Sequence, residues 1–94
     1  MFDFSKLEKS KVDNLVKGFE SLVEVPEVIG FEWGLENNAE DSPMGFTHSF
    51  LLTFDSFQAR TDYLNSKEHR EYEEEVMKYR SQVLVFDYEA KVLM

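Results

Sequence analysis

From residue 46 to residue 55 the chain alternates without a break. Phe46, His48, Phe50, Leu52 and Phe54 fall on one side, and Thr47, Ser49, Leu51 and Thr53 on the other. A period of two over that length calls for a strand with one buried face, because successive side chains of a strand point to opposite faces of its sheet. Residues 28–35 repeat the pattern, with Ile29, Phe31, Trp33 and Leu35 opposing Val28, Gly30, Glu32 and Gly34. The polar, turn-rich stretch 36–45 between them is a loop.

Two strands cannot stand alone in water, so other elements must cover the aromatic face. Val12, Leu15, Val16, Phe19, Leu22 and Val23 recur at i, i+3, i+4 and i+7, an apolar helical stripe whose wet side carries Lys11, Asp13, Asn14, Lys17 and Glu20. Ser5-Lys6-Leu7-Glu8 has the spacing of a capping box, Ser10 offers a second start, and Pro26 ends the helix. Ser56 is placed to cap a short helix through Leu64. Ser66, after the break at Asn65, caps another from 67 to about 79. Short alternating segments at residues 1–4 and 82–89 supply the outer strands.

The order is therefore strand, helix, strand, strand, helix, strand. That predicts an α+β fold, a ferredoxin-like βαββαβ unit whose four-stranded antiparallel sheet carries its helices on one face. Ninety-four residues suffice for one such core, so a single domain spans 1–94. Leu51, Val28 and one apolar register of the last strand fall on the other face, among Thr and Ser. Such a face pairs with a second sheet, and the expected assembly is a homodimer closing a shared barrel.

Composition removes several function classes. A net charge of -9 repels phosphate backbones, which argues against nucleic acid as a partner. There is no cysteine, and hence no thiol chemistry or thiolate metal site. No apolar run reaches the roughly 18 residues of a membrane span, so no membrane partner and a cytoplasmic location are expected. Without GxGxxG, Walker A or HExxH patterns the chain calls for no cofactor and no metal. The run Glu68, Glu71, Glu73, Glu74, Glu75, interleaved with Arg70 and Lys78, reads as a solvated helix face.

The chemistry that remains is that of two imidazoles and a phenol. His48 shares the register of Phe50, Leu52 and Phe54, and His69 opens a stripe with Tyr72, Val76 and Tyr79. Both are expected in the space between helices and sheet, with Tyr63 within reach. An imidazole can move a proton near neutral pH, and a phenol can polarise a carbonyl. The plainer alternative is that each histidine is a hydrogen-bonded core residue.

Taken together, Phe31-Glu32-Trp33-Gly34, Gly45-Phe46-Thr47-His48-Ser49-Phe50, Leu52-Thr53-Phe54-Asp55-Ser56, Tyr63-Leu64, His69 and Val83-Leu84-Val85-Phe86-Asp87-Tyr88 resemble the Dabb family of stress-responsive dimeric α/β-barrel proteins, above all its plant members. The likeness runs from about residue 10 to residue 89. It implies the same ferredoxin-like protomer and barrel-forming homodimer. It also implies a stress-associated protein of unassigned biochemical activity that binds a hydrophobic small molecule between helices and sheet, in a pocket bearing His48, Phe50, Trp33 and Tyr72. More distantly the chain is similar to olivetolic acid cyclase, which closes a linear polyketide by an aldol reaction. That resemblance places a catalytic pair on His69, as general base, and Tyr63, as carbonyl-holding phenol. A purely structural, protein-stabilising assembly is the third reading. The first strand is shorter than the family's, whose histidine there has no counterpart, and Asn65-Ser66-Lys67-Glu68-His69 replaces the usual His-Pro-x-His.

Overall fold

A computed structural model describes residues 1–37, 45–79 and 82–92. Helix α1 (Lys9–Ser21) is followed by a single 3₁₀ turn (Leu22–Glu24), strands β1 (Gly30–Leu35) and β2 (His48–Thr53), and helices α2 (Phe57–Leu64) and α3 (Lys67–Met77). β1 and β2 are antiparallel, with Trp33 opposite Phe50 and Leu35 opposite His48. Most of the loop predicted over 36–45 lies outside the described residues. Gly45, at its end, has φ +74°. An L side chain there would cost about 1–2 kcal/mol, so glycine is what lets the chain turn into β2.

The two helices with serine caps form where the sequence places them. The Ser56 hydroxyl accepts from the Ala59 amide and the Ser66 hydroxyl from the His69 amide, each satisfying one free donor of a first turn. α1 starts differently. Its N-cap is Glu8, which makes no side-chain cap. The Ser5 hydroxyl instead donates to Asp3 Oδ1 at 2.6 Å, and the Ser5 amide donates to the same oxygen. An aspartate two residues upstream outcompetes the capping box by forming its own tight turn.

The sheet is smaller than the four full strands expected. Its regular ladder contains β1 and β2 only, and the first and last segments add isolated bridges from Phe2 to His48 and to Val83. Backbone bonds from Met1 to Leu84 and from Asp3 to Gln82 flank the second bridge. Residues 1–3 thus lie between β2 and residues 82–84. The pairing is antiparallel, with Leu84 opposite Met1, so among the described residues nothing continues the ladder beyond Leu84. Val85, Phe86 and Tyr88 are exposed in consequence, and the strand predicted over 82–89 reduces to one bridge. Val28, predicted on the open face, is buried with Phe19, Leu22, Val25 and Tyr63.

The core is aromatic. Phe19 of α1 stacks on Phe50 of β2 at 4.0 Å and 9°, and meets the edge of Tyr72 of α3 at 5.0 Å. Tyr72 donates its hydroxyl to the Leu15 carbonyl at 2.8 Å, tying α3 to α1. The helices approach closely enough that a Cβ on Gly18 would lie 3.0 Å from the Tyr72 ring, so glycine permits the crossing.

Candidate functional site

The two histidines occupy opposite ends of the layer between helices and sheet. His48 begins β2, whereas Tyr63 and His69 gather beyond its far end, where Tyr63 meets Phe54 at 5.1 Å. At ~3.3 Å per residue, about 20 Å of strand separates His48 from Phe54. One small ligand cannot bridge them. The structure brings Tyr63 and His69 together, and separately His48 and Trp33, but does not join the two pairs.

A bulge positions His48. The consecutive amides of Thr47 and His48 both donate to the Phe2 carbonyl, at 2.8 and 3.1 Å, which is the pattern of a β-bulge. The bulge swings the Thr47 hydroxyl to 2.8 Å from His48 Nδ1, although strict alternation puts the two on opposite faces. Thr47 Oγ1 also accepts from the Phe4 amide. The Phe2 carbonyl lies 3.3 Å from Oγ1 but already accepts two amides. The hydroxyl proton is therefore best used on Nδ1, which leaves His48 protonated at Nε2. Burial pushes the His48 pKa below the usual imidazole range, so the ring is neutral near neutral pH.

His48 and Trp33 stack at 6.1 Å and 13°, and together they floor a cleft of about 410 Å³. Its other wall is α1, through Val12, Asp13, Val16, Lys17 and Glu20, and Leu35 closes one end. Glu20 reaches over to accept the Trp33 indole N–H at 3.1 Å. Of the other expected pocket residues, Phe50 lies beside Trp33 and His48 on the same face, packed against Phe19. Tyr72 faces a second cleft of about 270 Å³ with Gly18, Ser21, Leu22, Glu68 and Glu71. Glu20, Lys17 and Thr47 escaped the sequence reading. The first two look like solvated helix positions, and no pattern announces the bulge that turns Thr47.

At the other end, Tyr63 is 5% exposed and His69 lies against it, ring centroids 4.9 Å apart. Burial pushes the Tyr63 phenol up to about 12, so it stays protonated and can donate. His69 Nδ1 lies 3.2 Å from the Leu64 carbonyl, which can only accept. In the neutral ring that places the proton on Nδ1 and the lone pair on Nε2. Glu73 stands 3.8 Å from the same nitrogen. Neither Tyr63 nor His69 lines either cleft. No group of three potential metal ligands occurs among the described residues.

Helices over one face of an antiparallel sheet, with an aromatic floor and a cleft beneath the first helix, define a class of small α/β barrel domains. The stress responsive A/B barrel domain (Dabb) profile matches residues 1–90, and the chain belongs to that family. Stress-response A/B barrel domain-containing protein HS1 of Arabidopsis thaliana is 34% identical over 79 residues, covering 83% of this chain and 72% of that protein. The Arabidopsis thaliana protein At5g22580, a stress-response A/B barrel domain-containing protein, is 36% identical over 67 residues, 69% of this chain and 60% of its own length. Among solved structures, At3g17210 of Arabidopsis thaliana superposes with a TM-score of 0.79 at 29% identity, over 95% of this chain and 87% of that one. Hydroxynitrile lyase from Passiflora edulis superposes with 0.72 at 26% identity, over 82% and 76%. No described helix is long and apolar enough to cross a membrane.

Proposed function

We propose that this Dabb protein is a homodimeric binder of a hydrophobic small molecule, held between α1 and the sheet at the His48–Trp33 floor. The observation that carries the reading is the cleft itself. It is large enough for a small organic ligand, walled by Val12, Val16 and Leu35, and fitted with one indole and one neutral imidazole whose Nε2–H can donate. The test is a thermal-shift screen of a hydrophobic library, followed by titration of the fluorescence of Trp33, the chain's single tryptophan. Binders should raise the melting temperature and change Trp33 emission, and Val16→Phe, which narrows the cleft without adding a second indole, should weaken both effects. A library without a single binder would overturn the reading.

Two features support the dimer. The backbone order β1, β2, residues 1–3, residues 82–84 is compatible with a ferredoxin-like sheet. Leu51 at 42% exposure and Phe86 at 77% offer apolar surface for a second copy. Sedimentation at micromolar concentration should give about twice 11.1 kDa. A monomer would contradict it.

A second reading, a cyclase- or lyase-type enzyme, is favoured by the Tyr63–His69 contact and by the likeness to a hydroxynitrile lyase. In it, His69 Nε2 removes a proton from an acidic C–H between carbonyls while the Tyr63 hydroxyl donates to a carbonyl oxygen. Turnover of a β-polyketone thioester that His69→Ala and Tyr63→Phe both remove would establish it. Turnover equal to that of the His69→Ala variant would dismiss it.

A further inference from the structure

We propose that the cleft between α1 and the sheet selects an organic cation, a hydrophobic ammonium ion whose apolar body lies on Val12, Val16 and Leu35 and whose charged end meets the Trp33 indole and the Glu20 carboxylate. This rests on the reading of that cleft as a ligand site and specifies its occupant.

Three observations converge. Trp33 lines the cleft at 39% exposure, and of the aromatic rings indole attracts cations most strongly. Glu20 is held beside that ring by accepting its N–H at 3.1 Å, and a carboxylate so engaged keeps acceptor capacity for a ligand ammonium. The charges lining the cleft are Asp13 and Glu20 against Lys17, and the neutral His48 adds no positive charge. A chain of net charge -9 also concentrates cations and repels anions at its surface. A carboxylate ligand of the same shape would meet the two like charges of Asp13 and Glu20, offset only by Lys17.

The probes are three compounds of one shape: phenylbutylammonium, phenylbutanol and phenylbutanoate. Trp33 fluorescence titration should give the amine roughly tenfold tighter binding than the alcohol, a difference of about 1.4 kcal/mol, and the acid the weakest. Glu20→Gln, which keeps an acceptor for the indole N–H but removes the charge, should bring the amine-to-alcohol ratio to within about twofold. Lys17→Gln should widen it. Equal binding of amine and alcohol, or an acid that binds tightest and loses its advantage in Lys17→Gln, overturns the cation assignment while leaving the ligand site intact. If none of the three perturbs Trp33, the cation assignment falls, and the ligand-site reading stands or falls with the library screen.

Discussion

His48 and His69 are each held through Nδ1, yet they are prepared for opposite work. His48 stands on a strand beside an open cleft, and its Nδ1 faces a threonine hydroxyl that can donate a hydrogen bond to it. His69 stands in the first turn of a helix against a buried phenol, and its Nδ1 faces a carbonyl that can only take one. The first imidazole therefore presents an N–H from Nε2 and the second a lone pair. A ligand site needs room and a fixed donor, whereas a proton-abstracting site needs a free base and an acid close by. The two arrangements sit at separate ends of one sheet. Residue identity does not distinguish them; the atom facing Nδ1 does.

Removing the wall between the two ends should have the largest effect. Phe19 packs on Phe50, Phe31 and Tyr72 at the centre of the core, and Phe19→Ala should cost about 3–5 kcal/mol in chemical denaturation. It should also broaden the NMR signals of both imidazoles. A loss confined to one end would show the two regions to be independent units.

Thr47→Val should cost about 1–3 kcal/mol, because it orphans the Phe4 amide along with His48 Nδ1. It should change the ¹⁵N shifts of His48 and leave those of His69 alone. Ser66→Ala removes the α3 cap together with the hydroxyl's 2.7 Å bond to the Tyr63 carbonyl and should cost about 1–2 kcal/mol, with its spectral effect at His69. Crossed effects would break the comparison.

The smallest effect is in pH. His48 is held below its ordinary 6.5 in the folded chain, so between its folded pKa and 6.5 the unfolded chain binds more protons. Its contribution to stability is present in full above about 6.5 and is lost as pH falls through the folded value. Denaturation midpoints should decline across that interval, and His48→Gln should flatten the decline.

The parts of the fold legible in the sequence are those whose signal is local and unopposed. Alternation places β1 and β2, and the Ser56 and Ser66 hydroxyls cap the helices that follow them. The failures come from competition or from distance. Ser5 has the spacing of a cap, but Asp3 claims its hydroxyl. Residues 85–89 alternate like a strand, yet a strand also requires a neighbour, and the antiparallel register that sets Leu84 opposite Met1 gives them none among the described residues. The Tyr63–His69 contact follows from two helices meeting at Asn65 and Ser66, which is why their adjacency could be anticipated. The Thr47–His48 pair depends on a bulge made by the Phe2 carbonyl some 45 residues away, beyond the reach of any local pattern.

The central claim, that the His48–Trp33 cleft is the ligand site, can be read in one spectrum. The chain has two histidines and one tryptophan, so imidazole and indole resonances report on each end without ambiguity. Adding a hydrophobic ligand that raises the melting temperature should shift the His48 and Trp33 signals and leave His69 in place. Shifts at His69 with His48 and Trp33 unmoved would contradict the account and move the site to the Tyr63 end.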